Sequence, residues 1–592
     1  MTDKASKNST GQNRLRALGD QISASQNSGR VAHEDRLNAL DDELKRSSST
    51  RRNRHSKRTK PRRRWKLAVL ISLVVLIAVI GSGAGYAYYL THDLRRIQVR
   101  GLANAMTSGQ EAGSENILMV GSTDRCALSV QNPAYGICSQ GVTGINSDVI
   151  MILHADPTHH RLALLSIPRD LFIPNARTTG PNKIDAGLVQ GLTQLVAAIE
   201  EDFGIPIQHA VSLNFDQFAN IVDALGGINM SFPTSLFDWA PTGGGVSGNL
   251  PVSSGLNEKA EACVHLDGIH ALQVVRARHL RYETPQSNPN DPYSWQPEAQ
   301  SDLARIQRDH EFLRVLASAV AKQGLGNPIA DVNLINSVKS DLTFDQSWAV
   351  SDMANLVLEF HSVNINSVAQ LTLPVQVVTD PATGAGLLYQ GVNYGDVEFP
   401  ASSQDQASID QVLGIGPTTD SMTGNPLPAP SSVTVSVMNG TGAYNQATDT
   451  ATALSALGYH TVGAGDTAPV GDLAETYVYY GSRSPATEAA AESVTRSISG
   501  SVIMAYDPTK VADGAQVTVV TGTQFTVNAP TASSTGTTAL TSSSTSPATA
   551  ASPAAGSSAI AAPTPASSKL APWDPTACRP GAVPTAPVPN PT

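Results

Sequence analysis

From Leu67 to Leu90 this 592-residue chain carries no charged side chain. About 20 apolar residues in a helix cross a bilayer, so the run predicts a transmembrane helix over 67–90. Every other segment then has to fold on one side of that helix or the other. A signal peptide has a shorter apolar core and does not follow so long a polar arm. The flanks set the direction. Residues 1–66 hold 18 Lys/Arg against 7 Asp/Glu, a balance of +11, so the remainder carries -21 of the net -10. The basic residues crowd the near side, in Arg51-Arg52-Asn53-Arg54 and Arg62-Arg63-Arg64-Trp65-Lys66. The positive-inside rule leaves residues 1–66 in the cytoplasm and everything after Leu90 outside. Tyr86, Tyr88 and Tyr89 fit an interfacial aromatic belt. A basic arm also suits nucleic acid, but its position against the apolar run assigns it to the membrane surface, so no nucleic-acid partner is expected.

A chain of this length exceeds one core. Residues 1–66 read as a disordered arm and 91–114 as a stem. Residues 115–380 read as a large α/β domain. Its strands are Asn116–Val120, Asp148–Leu153 and Arg161–Ile167. Its helices run over Leu188–Phe203, Phe215–Leu225, Asp302–Lys322 and Trp348–Phe360, with Gly226-Gly227 closing the second. Residues 381–431 read as a turn-rich linker or an elaborated edge. Residues 432–527 alternate strand and helix, as in a small α/β module. Residues 528–592 are Ala/Ser/Thr/Pro-rich, a composition that cannot bury a core, and are expected to be disordered.

The four cysteines lie beyond the apolar run, in an oxidising exterior. Cys126 and Cys138, 12 apart, are expected to pair. Cys263 and Cys578 are left open between free and paired. No Cys/His spacing of the zinc type occurs.

The large domain carries a spaced set of arginines and acids: Asp124-Arg125, Asp148, Ser166-Ile167-Pro168-Arg169-Asp170, Lys183-Ile184-Asp185, Arg276-Ala277-Arg278, then Asp302, Arg305 and Arg308. Guanidinium forks match phosphate oxygens, and carboxylates supply ligands for a hard metal beside a pyrophosphate. Each piece also has a plainer reading. If Val274–Arg278 is a strand, Arg276 and Arg278 share a face, either around an anion or as charges that deter edge pairing. Asp302, Arg305 and Arg308 could be a solvated helix flank. Arg169 follows a strand, where open α/β sheets bind ligands, but a turn residue would look the same. A capping acid would account for Asp148. His209, His270 and His279 read as core or surface residues.

Taken in order, these segments resemble the LytR-CpsA-Psr family. Asn116–Arg125 is similar to its opening motif. Ser147-Asp148, Ser166–Asp170, Lys183–Ala186, Gly204–Ile207, Val222–Gly227, Leu266-Asp267-Gly268 and Asp302/Arg305/Arg308 follow. The resemblance covers about residues 115–325, and residues 432–527 look similar to a C-terminal domain often attached to this family in actinobacteria. It implies an α/β/α sandwich outside the membrane with an apolar tunnel for a prenyl chain. The implied activity is transfer of a glycan from a polyprenyl-diphosphate carrier to peptidoglycan. By resemblance Arg169, Arg276, Arg278, Arg305 and Arg308 hold the diphosphate, joined by Arg125 and Lys183. Asp148 and Asp124 would hold Mg²⁺, and Asp302 would be the base. This sequence departs from the pattern at Thr123, where the family's first acid usually sits, with Asp124 one residue displaced. It departs again at Asn146, Val149 and Asp309-His310. Three other readings stay open: a hydrolase of polyprenyl pyrophosphate, a non-catalytic module presenting a lipid-linked glycan, and a transcription regulator using the basic arm, against which the topology argues.

Overall fold

The computed structural model describes residues 94–103, 113–124, 126, 138–140, 143–238, 254–299, 301–322, 342–360, 362–378, 386–466, 475–528 and 570–588. All belong to one compact unit, Tyr86–Thr592. Among them no helix is long and apolar enough to cross a membrane. The expected span at 67–90, the arm at 1–66 and Arg125 lie outside the described residues.

In chain order the first domain contains β1 (Arg95–Ile97), β2 (Glu115–Ser122), β3 (Ser147–Asp156), β4 (Arg161–Ser166), α1 (Leu192–Phe203), β5 (His209–Leu213), α2 (Phe215–Ala224), β6 (Ile228–Phe232) and β7 (Glu261–Leu266). It continues with α3 (Gly268–Arg276), α4 (Ser301–Lys322), β8 (Thr343–Asp345), α5 (Val350–Phe360), β9 (Ala369–Thr372) and α6 (Ser402–Leu413). Seven strands form one mixed sheet in the order β1-β8-β5-β2-β3-β4-β9. β2 lies parallel to β5 and antiparallel to β3, with Leu118 opposite Ala210 on one side and Ile152 on the other. A central strand of this kind is buried on both faces, and Ile117, Leu118 and Val120 are at most 2% exposed. Within the stem, Arg95–Ile97 form the sheet's edge, parallel to β8.

Local chemistry explains the helix ends. Asn214 caps α2 in a reciprocal box with Gln217. Asp267 caps α3 by accepting from the His270 amide. α1 begins later than its apolar period predicts, after a 3₁₀ segment at Ile184–Gln190, and ends on Gly204 in the left-handed region. Gly268 sits where α3 crosses α2, and a Cβ there would lie 2.2 Å from the Ala219 carbonyl oxygen.

The structure decides between linker and elaborated edge at 381–431, and it corrects the expectation of a wholly disordered tail. The linker at 381–431 contributes a strand, Val397–Pro400, paired antiparallel with Val375–Val378. It also contributes α6, whose Ile409, Val412 and Leu413 join the core built on β2–β4 and α1. Within the expected disordered tail, residues 570–588 pack on the first domain. Their strand β15 (Thr576–Ala577) extends the β7-β6 pair, and Cys578 is bonded to Cys263. Composition hides both because few apolar anchors, spaced far apart, suffice when the partner surface is already folded.

The second domain contains β10 (Thr434–Asn439), α7 (Gln446–Ala456), β11 (His460–Asp466), β12 (Thr476–Tyr480), α8 (Pro485–Arg496), β13 (Val502–Tyr506) and β14 (Val517–Thr521), with sheet order β11-β10-β14-β12-β13. It has its own core around Val435, Val437, Val478 and Val519. Arg496 of α8 grips Asp410 of α6 through two 2.7 Å hydrogen bonds, and Arg483 donates to Glu201 of α1 at 2.7 Å.

Candidate functional site

The C-terminal end of β2, the start of β3, the turn after β4, the end of α3 and the first turns of α4 converge. Asp148 opens β3, and Arg169 follows β4 through Pro168; their side chains hydrogen bond, Arg169 Nη1 donating to Asp148 Oδ1. Arg169 Nε lies 3.5 Å from both Asp170 Oδ2 and Asp302 Oδ1. Lys183 Nζ donates to Asp170 Oδ1 at 2.8 Å. Arg278 reaches Asp170 and Asp302, each at 3.4 Å. Arg305 contacts Asp302 at 3.2 Å and donates to the Asp148 carbonyl at 2.8 Å. Arg276 stacks over the Phe215 ring, 4.4 Å from its centroid.

Charge governs this cluster. Burial works against the Asp148 carboxylate, but Arg169, Arg305, Arg276 and Arg278 outweigh it and bring its pKa to about 2. Asp170 is lowered in the same way, against its burial, by Arg169 and Lys183. Two neighbours go the other way: burial pushes Asp185 up to about 6 and Asp309 up to about 7. Five cations, Arg169, Lys183, Arg276, Arg278 and Arg305, thus lie among Asp148, Asp170 and Asp302, with Asp185 and Asp309 close enough to feel the same charges. Guanidinium and ammonium groups gathered in this way suit a multiply charged anion.

The cluster opens onto an apolar cavity of about 240 Å³, walled by Met119, Phe215, Phe218, Leu272, Val275 and Phe312. Asp148, Arg276, Arg305 and Asp309 line its polar end. A long apolar chain ending in phosphate matches both halves.

Arg276 and Arg278 do not share a strand face. Arg276 closes α3 and Arg278 follows its cap Ala277, because Leu272 and Val275 recur at helical spacing and pack as cavity wall. Arg308 is corrected as well. Its buried guanidinium donates to Glu298 at 2.6 Å, Asp574 at 3.0 Å and the Ala277 carbonyl at 2.6 Å, away from the anion cluster. Three residues after Arg305, it points about 60° round the helix. Sequence reasoning placed Asp170, which pairs with Lys183, in the set without giving it a role, and it passed over Phe215. Asp170 was legible beside Arg169; Phe215 carried no signal beyond an apolar helix residue. Asp309 stood out only as a departure from the family pattern. His310 is buried against Ser166 Oγ at 2.7 Å, and burial lowers its pKa to about 4.

The expected metal acids are differently committed. Thr123 is buried and exchanges hydrogen bonds with the Asn146 backbone at 3.0 and 3.1 Å. Asp124 Oδ1 accepts from the Cys126 amide at 3.1 Å, at the mouth of the loop closed by the Cys126–Cys138 disulfide. Among the described residues no group of three or more His, Cys, Asp or Glu gathers as a metal cage. Asp148 beside an anion receptor fits a magnesium ion held by one carboxylate, substrate phosphate oxygens and water.

A cationic cluster at the mouth of an apolar cavity, carried on a mixed sheet, is what the α/β fold assembles here. The LytR_cpsA_psr family model matches residues 89–398, just over half of the chain, and the chain belongs to that family. A second model, LytR cell envelope-related transcriptional attenuator, matches residues 432–525. The probable cell wall biosynthesis protein LcpB of Corynebacterium glutamicum is 28% identical over 285 residues, covering 48% of this chain and 59% of that protein. The chain thus spans little more than half the length of that relative. Polyisoprenyl-teichoic acid–peptidoglycan teichoic acid transferase TagU of Bacillus subtilis is 24% identical over 294 residues, covering 49% of this chain and 83% of that one. A solved LytR-Csp2A-Psr enzyme from Actinomyces oris aligns over 48% of this chain and 88% of its own at 25% identity with a TM-score of 0.36, at which the likeness carries no argument.

Proposed function

We propose that this chain is a membrane-anchored phosphotransferase that moves a glycan from a polyprenyl-diphosphate carrier to peptidoglycan. The observation that carries the reading is the join between the apolar cavity and the five-cation cluster. The prenyl chain enters the cavity, and Arg169, Arg276, Arg278, Arg305 and Lys183 grip the diphosphate. A peptidoglycan hydroxyl attacks the glycan-side phosphorus. Its P–O bond forms as the bridging P–O bond breaks, and polyprenyl phosphate departs. The arginines stabilise charge that builds on the phosphoryl and leaving oxygens. Asp302, with Oδ1 among three guanidiniums at 3.2 to 3.5 Å, takes the hydroxyl proton. Mg²⁺, held through Asp148, would neutralise part of the diphosphate charge. In this reading the anchor is the run at 67–90, with residues 1–66 cytoplasmic and the α/β/α sandwich on the wall side.

The test supplies the full-length chain, purified in detergent, with a labelled polyprenyl-diphosphate glycan, nascent peptidoglycan and Mg²⁺. Label in peptidoglycan, lost in Arg169→Ala and Arg278→Ala, is the expected result. Label released as free glycan phosphate would make the chain a hydrolase. Label retained on bound, intact lipid would make it a presenting module.

A further inference from the structure

The stretch after residue 528 is almost wholly Ala, Ser, Thr and Pro, but Trp573, Asp574 and Cys578 fall within six residues of each other. Those residues fasten the chain's end to the transferase domain. β15 pairs antiparallel with β6, and Cys578 is bonded to Cys263 across 315 residues. Trp573 stacks flat on Tyr282, with centroids 3.9 Å apart and planes at 3°, and its Nε1 donates to Glu298 at 3.2 Å.

Asp574 then enters a buried ion triad. Arg308 Nη1 donates to Asp574 at 3.0 Å and to Glu298 at 2.6 Å, and none of the three side chains is more than 1% exposed. The other terminal nitrogen of Arg308 donates to the carbonyl of Ala277 at 2.6 Å. Ala277 is the residue between Arg276 and Arg278. A guanidinium held by two carboxylates in a dry interior has one orientation, and losing one of them leaves a single carboxylate to fix it. A continuous path of bonds therefore runs from the C-terminal segment to the backbone that carries two phosphate-gripping arginines.

We propose that residues 570–588 are a positioning strap, in which Asp574, through Arg308 and the Ala277 carbonyl, sets the placement of Arg276 and Arg278 on the diphosphate. Asp574 is a positioning residue and touches no substrate. The inference rests on the function proposed above, so its test reads binding rather than turnover.

Full-length Asp574→Asn, Asp574→Glu and a chain ending at Lys569 are titrated with polyprenyl diphosphate and, separately, with polyprenol, which fills the cavity but has no phosphate. Weakening one charge-assisted hydrogen bond to a phosphate costs on the order of tenfold in affinity. Asp574→Asn and the shortened chain should weaken diphosphate binding by about that factor while polyprenol binding holds, and Asp574→Glu should recover part of the loss. Unchanged diphosphate binding in Asp574→Asn and in the shortened chain would overturn the strap. Equal loss of both ligands would also overturn it, because that marks general unfolding. A parent chain that binds polyprenol and its diphosphate alike would overturn the proposed function itself, a failure visible without any variant.

Discussion

Asp345 shows how a single side chain is set by what encloses it. Its carboxylate accepts from the Ala210 and Trp348 amides at 3.1 and 2.9 Å and contacts His209 Nδ1 at 3.3 Å, while His209 stacks on Trp348 at 4.7 Å. Burial opposes its charge, but His209, Ser347 and the Ala210 amide prevail and bring the pKa to about 2. A lowered folded pKa stabilises the fold above the unfolded value and loses that stability as pH falls through the folded one. Asp345→Asn should cost roughly 2 kcal/mol near neutrality and flatten the acid limb of unfolding between about pH 4 and pH 2, read by urea titration at each pH. At the site, Arg278 is one of five cations, and its guanidinium contacts both Asp170 and Asp302. Arg278→Ala should lower transfer by about 10²- to 10³-fold, measured as label reaching peptidoglycan. The arginines and Asp148 were legible only as an ordered set, since each alone has a plainer reading. The fate of Arg308 was not, since its partners Glu298 and Asp574 sit 10 and 266 residues away.

At the scale of elements, local pattern served where period and caps agreed. α2 announces itself through Asn214, Gln217 and the closing glycines. The segment Val274–Arg278 misleads because its β-branched residues favour a strand, whereas packing of Leu272 and Val275 against α2 and the cavity holds it helical through Arg276. α6 misleads in the opposite sense: its polar face dominates the composition, and only Ile409, Val412 and Leu413 reach the core. Ile409 is fully buried, so Ile409→Ala should destabilise the protein by about 3 kcal/mol in equilibrium unfolding. A cost near zero would mean that the segment is a linker after all.

Across the whole molecule, folding buries carboxyl groups both where the two domains meet and beside the cationic cluster. Burial pushes Glu200 up to about 8, beside Glu488 of the second domain, and pushes Glu398 up to about 8 next to Asp302 and Asp170. A folded pKa above the unfolded one gives stability that is complete below the unfolded value and lost as pH rises through the folded value. The melting temperature should therefore fall from about pH 5 to pH 8, and Glu200→Gln should flatten that slope in a thermal scan across pH. What the sequence determined on its own is local or chemical: the uncharged run, the capped helices, the strand–helix alternation of both domains and the types of residue that bind phosphate. What only the tertiary structure decided is which of those residues meet. Alignment along the chain cannot show that Arg308 turns from the anion to Glu298 and Asp574, or that a Pro/Ala-rich tail closes beside Cys263. Those outcomes depend on contacts between distant segments, and their free energy exists only once the sheet and helices have assembled.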